Sequence, residues 1–327
     1  MSQRFQFTIM KHKFGRRSFI KKGSALGAAT VIGSALLPEF LSGMTNPENI
    51  DISVVQGSNY FNSTIKAVEM LGSMGKFVPT GSKVGLLINS DFEKPGAYVN
   101  SDITIAVVKM CFDAGAKEVN CLQYVYPEYW ERSQLFVNYK ADIDRLKNNV
   151  ANTVPAEFTE KDFILKEKID GAISLKDAEI IKALFECDVF INSPISKHHF
   201  GTFYTGALKN MMGVCTRKTN VTYHLGSGVR NDPVYLGQCI ADINLARKSD
   251  LIVVDSTEFL VTNGPGGPGD ISKHDKVVAG TDIVAVDALC CNYLGYKPEE
   301  IISIKKAYDL GLGEIDYTRL NVIEISI

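Results

Sequence analysis

The densest run of chemistry-bearing residues lies after Asn192 and reads Pro194-Ile-Ser-Lys197-His198-His199-Phe-Gly-Thr-Phe-Tyr-Thr205-Gly206-Ala-Leu-Lys209-Asn210-Met-Met-Gly213. His224 and Arg230 follow, and four of the five histidines of the chain stand from His198 onward. Lysines beside histidines, directly after an apolar run, can hold an anion, coordinate a metal or shuttle protons. Imidazole titrates near neutrality, while ammonium supplies a fixed charge. Lys197, His199, Lys209 and His224 are the candidates for catalysis, with Arg230 as an anion ligand. A metal would take two of His198, His199 and His224 with a carboxylate such as Asp255 or Asp282, although no recognised ligand spacing is present. Neighbouring residues of an extended chain point to opposite sides, so one of His198 and His199 is expected to face a pocket.

Two further segments carry candidates. Thr262-Asn263-Gly264-Pro265-Gly266-Gly267-Pro268-Gly269 offers backbone amides that could approach an anion, but it has neither the Gly-x-Gly-x-x-Gly placement of a dinucleotide fingerprint nor a Walker loop. Val278-Ala-Gly280-Thr281-Asp282-Ile-Val-Ala-Val-Asp287-Ala opens a helix. Asp282 suits its cap, while Asp287, set among Val, Ala and Leu, must be paired if buried, with Lys209 as a suitable partner. Three apolar runs end in polar residues: Asn89-Ser90-Asp91, Asn192-Ser193 and Asp255-Ser256. In open α/β sheets ligands bind outside the carboxyl ends of strands, so Asn89 and Asn192 join the ligand-binding candidates, beside Asn210 of the Lys/His run, Asn263 and Gly264 of the Gly/Pro segment, and Asp282 and Asp287.

The elements that must position these residues alternate between strand and helix. Apolar runs at 52–55, 83–88, 118–122, 188–192, 251–255, 276–279 and 321–327 read as strands. Helical spacing appears at 63–74, 103–112, 175–186, 234–247 and 282–294, and another helix opens at Pro298. The segment 158–173 reads as a hairpin or excursion. This rhythm predicts an α/β fold, a mostly parallel sheet with helices on both faces, open to division into a first lobe at about 50–150 and a second at about 175–327.

Ahead of this body stands Gly15-Arg16-Arg17-Ser18-Phe19-Ile20-Lys21-Lys22, followed by an apolar run from Ala25 to Leu37. That run is shorter than the ~20 residues of a membrane-spanning helix, and paired arginines before Ser-Phe-Ile-Lys specify a twin-arginine signal peptide. Residues 1–45 are therefore expected to be a leader and short linker, and 46–327 a single α/β domain without a permanent membrane span. The expected partner is the twin-arginine export machinery and the expected location periplasmic. Lys plus Arg total 35 against 37 Asp plus Glu, which argues against nucleic acid. Seven scattered cysteines without a Cys-x-x-Cys make an iron-sulfur cluster or structural zinc site unexpected, and most read as small buried hydrophobes.

The mature chain resembles the family called domain of unknown function 362. The matching pieces are Lys197-x-His199, Thr205-Gly-Ala-Leu-Lys209-Asn210-Met-Met-Gly213, Asn263-Gly264-Pro265, Ala279-Gly280-Thr281-Asp282-Ile-Val-Ala-Val-Asp287-Ala and Ala307-x-x-x-Gly311-Leu-Gly313. The resemblance implies a Lys-Pro-Asn triplet after the second strand, where this chain has Leu87-Ile88-Asn89; if that lysine binds ligand in relatives, binding here is weaker or uses Lys94 instead. It also implies redox work in relatives with a fused ferredoxin-like module. This chain lacks those clustered cysteines, so a redox role would need an external electron carrier. The reading that results is an exported enzyme acting on a small anionic substrate in a Lys/His-lined cleft, with metal or redox assistance and the cofactor left open. The alternative is a periplasmic binding or assembly protein using the same cleft.

Overall fold

A computed structural model describes residues 50–147 and 162–327. The leader, and the first residues of the 158–173 excursion, lie outside them. Eleven strands are assigned among the described residues: β1 (Ile52–Gln56), β2 (Lys83–Ile88), β3 (Glu118–Cys121), β4 (Phe163–Lys166), β5 (Ala178–Ile181), β6 (Val189–Ser193), β7 (Lys197–His199), β8 (Phe203–Thr205), β9 (Leu251–Leu260), β10 (Ile271–Gly280) and β11 (Val322–Ser326). Seven form one sheet in the order β11-β1-β10-β9-β6-β2-β3. Strands from the 50–150 and 175–327 segments thus share a single sheet.

The fold is α/β. Every sheet neighbour pairs in parallel except β10, which is antiparallel to both β1 and β9. The exception has a simple cause: the 261–270 connection is too short for the crossover that a parallel return requires. That connection is the Gly/Pro-rich segment, which therefore becomes a hairpin loop over the carboxyl end of β9.

Period-two alternation sends successive residues to opposite faces. Val54, Leu87, Phe190, Ile252 and Val278 face one core, which is closed by the Pro233–Ile243, Ile283–Cys291 and Ile302–Asp309 helices. Val55, Leu86, Ile191, Val253 and Val277 face the other, beneath the Tyr60–Met70 and Ser101–Asp113 helices. The seven cysteines are free; six are buried and Cys187 is half-buried. Desolvation pushes Cys111, Cys121, Cys215 and Cys239 up to about 12, so these thiols behave as apolar filling.

The helix expected at 175–186 is instead β5, paired with β4, followed by a short Ala183–Glu186 helix. Ala178, Ile180 and Ile181 are buried, and Ile180 also bridges Cys215, so pairing displaces helical geometry there. The helix at Arg217–Leu225 has no counterpart in the sequence reading, because only Thr219 and Tyr223 on it are buried. Among the described residues no helix is long and apolar enough to cross a membrane.

Candidate functional site

The chain leaves β2 for β3 through the Ser101–Asp113 helix on one face. It leaves β6 for β9 through the Ala207–Asn210, Arg217–Leu225 and Pro233–Ile243 helices on the other. Because β2 and β6 are neighbours, their connections part company between them and open a crevice at their carboxyl ends. Ser90 Oγ and Ser193 Oγ, just beyond and at the ends of these strands, are buried without a hydrogen-bond partner among the described residues.

The β7–β8 hairpin extends β6 into this region, with Lys197 opposite Thr205, His198 opposite Tyr204 and His199 opposite Phe203. Alternation separates the two histidines as expected. His198 Nδ1 accepts the Gly264 amide hydrogen at 3.1 Å, which docks the Gly/Pro loop. His199 lines a cleft of about 550 Å³ with Arg217, His224, Arg230, Asn231 and Pro265 among its other walls.

The two cleft histidines are held in complementary states. His199 Nδ1 accepts from the amides of Gly201 at 3.0 Å and Thr202 at 3.3 Å, so the neutral ring carries its proton on Nε2. Burial, reinforced by the positive Lys209 and Lys197, pulls its pKa down to about 2. Of the two histidines offered as proton carriers, His199 has its Nδ1 occupied by two amides, which leaves Nε2–H as its free group. His224 Nδ1 lies 2.8 Å from Asn231 Oδ1, an oxygen that can only accept. His224 therefore donates from Nδ1, and in the neutral ring the lone pair is on Nε2.

The cations divide in the same way. Arg217 and Arg230 reach the cleft with no ion pair or hydrogen bond to other described residues. Lys209 is half-buried beside His199, lacks an acidic partner among the described residues, and is lowered to about 8 by desolvation. Lys197, placed among the catalytic candidates by sequence, is 0 % exposed and committed elsewhere. It donates to the carbonyls of Ala97 and, at 2.9 Å, Pro265, with its nitrogen 3.8 Å from the centre of the Phe92 ring. Burial and the neighbouring Lys209 lower it to about 6, against the opposing charge of Asp91. Its role is to clamp two loops over the site.

Most of the remaining candidates bond to the protein itself. Asn192 Nδ2 donates to the Ala207 carbonyl at 2.9 Å and its Oδ1 accepts from Asn210 at 2.8 Å, pinning the Ala207–Asn210 helix to β6. Asp287 takes the amides of Ala207 at 2.7 Å and Leu208 at 2.9 Å, not Lys209, so the expected ion pair is corrected to a helix-end anchor. Burial lifts that carboxyl to about 7 although both amides favour its ionised form. Asp282 caps the Ile283–Cys291 helix and accepts the Glu314 amide. Asp255 accepts from the Asn100 and Thr257 amides and the Thr257 hydroxyl. The carboxylates offered for a metal are therefore engaged elsewhere, and no group of three His, Cys, Asp or Glu among the described residues could hold a metal ion. Asn89 ties β2 to β6 through its amide, Asn263 bonds the Pro268 carbonyl, and Gly264 sits against the His198 carbonyl where a Cβ has no room.

Sequence reasoning missed Arg217 and Asn231, which lie on elements without apolar periodicity. It also missed a second arm of about 480 Å³ that shares Arg217 and Asn220 with the first and is lined by Asp91, Gln123, Tyr124, Tyr126 and Phe163.

Fold and site together define an α/β protein with two adjoining clefts, which share Arg217 and Asn220, at a topological switch point of its sheet. The chain belongs to the family described as domain of unknown function (DUF362), whose model matches residues 84–292. It is 23% identical over 270 residues to a thylakoid-associated protein of Synechocystis sp. (strain ATCC 27184 / PCC 6803 / Kazusa), covering 80% of this chain and 79% of that protein. A solved structure, the lactate racemase apoprotein from Thermoanaerobacterium thermosaccharolyticum, aligns with a TM-score of 0.41 at 12% identity, over 64% of this chain and about half (52%) of the other.

Proposed function

We propose that this protein is an enzyme of acid–base chemistry on a small anionic substrate. The observation that carries the reading is the pairing of two unpartnered guanidiniums with two histidines held in opposite roles on one cleft. Arg217 and Arg230 would hold the anion through charge-assisted hydrogen bonds. His224 Nε2, aimed by Asn231, would accept a proton from substrate. His199 Nε2–H would donate to the oxygen on which charge develops, and Lys209, charged below about pH 8, would add a positive charge beside it. A neutral imidazole that cannot be protonated at its other nitrogen keeps its hydrogen pointed at that oxygen throughout.

Proton abstraction from carbon can be tested across a whole class of substrates at once. The protein is incubated in D2O with a panel of small carboxylates, and deuterium entering carbon positions is followed by proton NMR. Exchange in one of them, lost by about 10²-fold or more in His224→Gln, supports the base assignment. Exchange that survives in His224→Gln removes His224 from that role. Saturable binding with no exchange in any of them would favour a binding or assembly protein over an enzyme.

We also propose that residues 1–45 direct export by the twin-arginine route to the periplasm, a reading supported by Arg16-Arg17 and the short apolar run behind them.

A further inference from the structure

The second arm of the cleft has a chemistry of its own. Asp91, just beyond the end of β2, has one oxygen held by the Gln123 amide and makes no ion pair among the described residues; nearby Lys197 is engaged by two carbonyls and the Phe92 ring. Around this carboxylate stand aromatic walls. The Tyr124 and Tyr126 rings meet at 89° with centroids 4.7 Å apart, and Phe163 adds another wall. Asp91 lies close enough to Tyr126 for its charge to help burial raise that phenol. Tyr126 is 41% exposed, an aromatic ring left open on a concave surface.

A carboxylate that shares a cleft with aromatic rings attracts positive charge twice, by Coulomb attraction and through the ring quadrupoles, and suits a weakly hydrated alkylammonium best. The arm opens onto Arg217, which also lines the first arm. An ammonium bound beside Arg217 would be repelled unless an anion covers the guanidinium, so one ligand carrying both charges satisfies both arms. We propose that the arm lined by Asp91, Tyr124, Tyr126 and Phe163 receives an alkylammonium group, and that the ligand of the whole cleft is a zwitterion. Its placement of the anion on Arg217 and Arg230 rests on the functional reading above.

The test uses the full chain and calorimetric titration with matched probes: ω-trimethylammonio carboxylates of graded chain length, their uncharged ω-tert-butyl isosteres, and tetramethylammonium alone. The expected result is that the best ammonium acid binds about tenfold more tightly than its isostere, and that Asp91→Asn shrinks this preference to about twofold or less. Equal binding of acid and isostere to the unaltered protein overturns the proposal while leaving the anion site intact. A preference that persists in Asp91→Asn also overturns it, because the ammonium then lies elsewhere. Binding of tetramethylammonium with no gain from a carboxylate keeps the arm and removes the anion reading. No binding by any probe overturns both. Should Asp91→Asn fail to fold, the comparison of acid with isostere on the unaltered protein still decides.

Discussion

At the scale of single residues, the site is governed by which polar groups have partners. Lys209 has none among the described residues, and desolvation lowers it to about 8, so its charge is present below that pH and lost above it. Affinity for a small anion should therefore fall as pH rises through about 8, and Lys209→Met should flatten that part of the profile; calorimetric titration from about pH 6.5 to about pH 9.5 measures both. A profile unchanged in Lys209→Met would detach Lys209 from the anion. The same residue sets a stability trend. Its unfolded-state pKa is near 10.4, so the cost of its buried charge is full below about 8 and relieved as pH rises from there. Arg217→Gln and Arg230→Gln should each weaken anion binding by about tenfold or more, the loss of a charged hydrogen bond, with the fold intact because neither side chain bonds to other described residues.

At the scale of elements, the short Ala207–Asn210 helix carries Lys209 and is too brief to hold itself. Asp287 receives its first two amides, Asn192 and Asn210 tie it to β6, and Gly206 leaves the space that Asp287 and the Tyr204 hydroxyl fill. Asp287→Ala strands two buried amides, and urea denaturation should show a loss of about 2–4 kcal/mol; a loss below about 1 kcal/mol would contradict the anchor. Because burial raises the Asp287 carboxyl to about 7, its contribution is fully present below the unfolded value near 3.8 and is lost as pH rises through about 7. The stability gap between the unaltered protein and Asp287→Asn should shift in that direction between about pH 5 and about pH 8. These anchors also explain what the sequence could not reveal. A polar residue at a strand end looks the same whether it meets a ligand or a neighbouring amide, and Asn192, Asn210, Asp282 and Asp287 all meet protein. Of the residues around the Lys197-x-His199 spacing, His199, His224 and Arg230 do come together on one cleft. Arg217 stayed hidden because its helix shows almost no apolar stripe, and Tyr124 and Tyr126 because an aromatic run does not disclose which carboxylate will fold against it.

At the scale of the whole molecule, the strand–helix rhythm was legible along most of the chain. β2 lies at the predicted residues, and the antiparallel sense of β10 follows from the length of the loop before it, a feature the sequence does contain. The helix expected at 175–186 failed where a two-stranded pairing competes with helical spacing. The cleft's position came from topology that no local pattern contains, namely the parting of connections between β2 and β6. For the export proposal, changing both Arg16 and Arg17 to Lys should leave the protein in the cytoplasm of an exporting bacterial host, read by cell fractionation. Unchanged periplasmic recovery would refute the twin-arginine assignment.

His199 and His224 face one cleft in opposite hydrogen-bonding states. Nitrogen-15 NMR of histidine-labelled protein at about pH 8 reads this directly, with single-site Gln variants supplying the assignments. The expected result is a proton on Nε2 of His199 that stays unaltered as pH is lowered to about 5, a proton on Nδ1 of His224, and shifts in both rings when a carboxylate is added. A His199 ring protonated on Nδ1, or one that titrates near 6.5 as an exposed imidazole does, would contradict it.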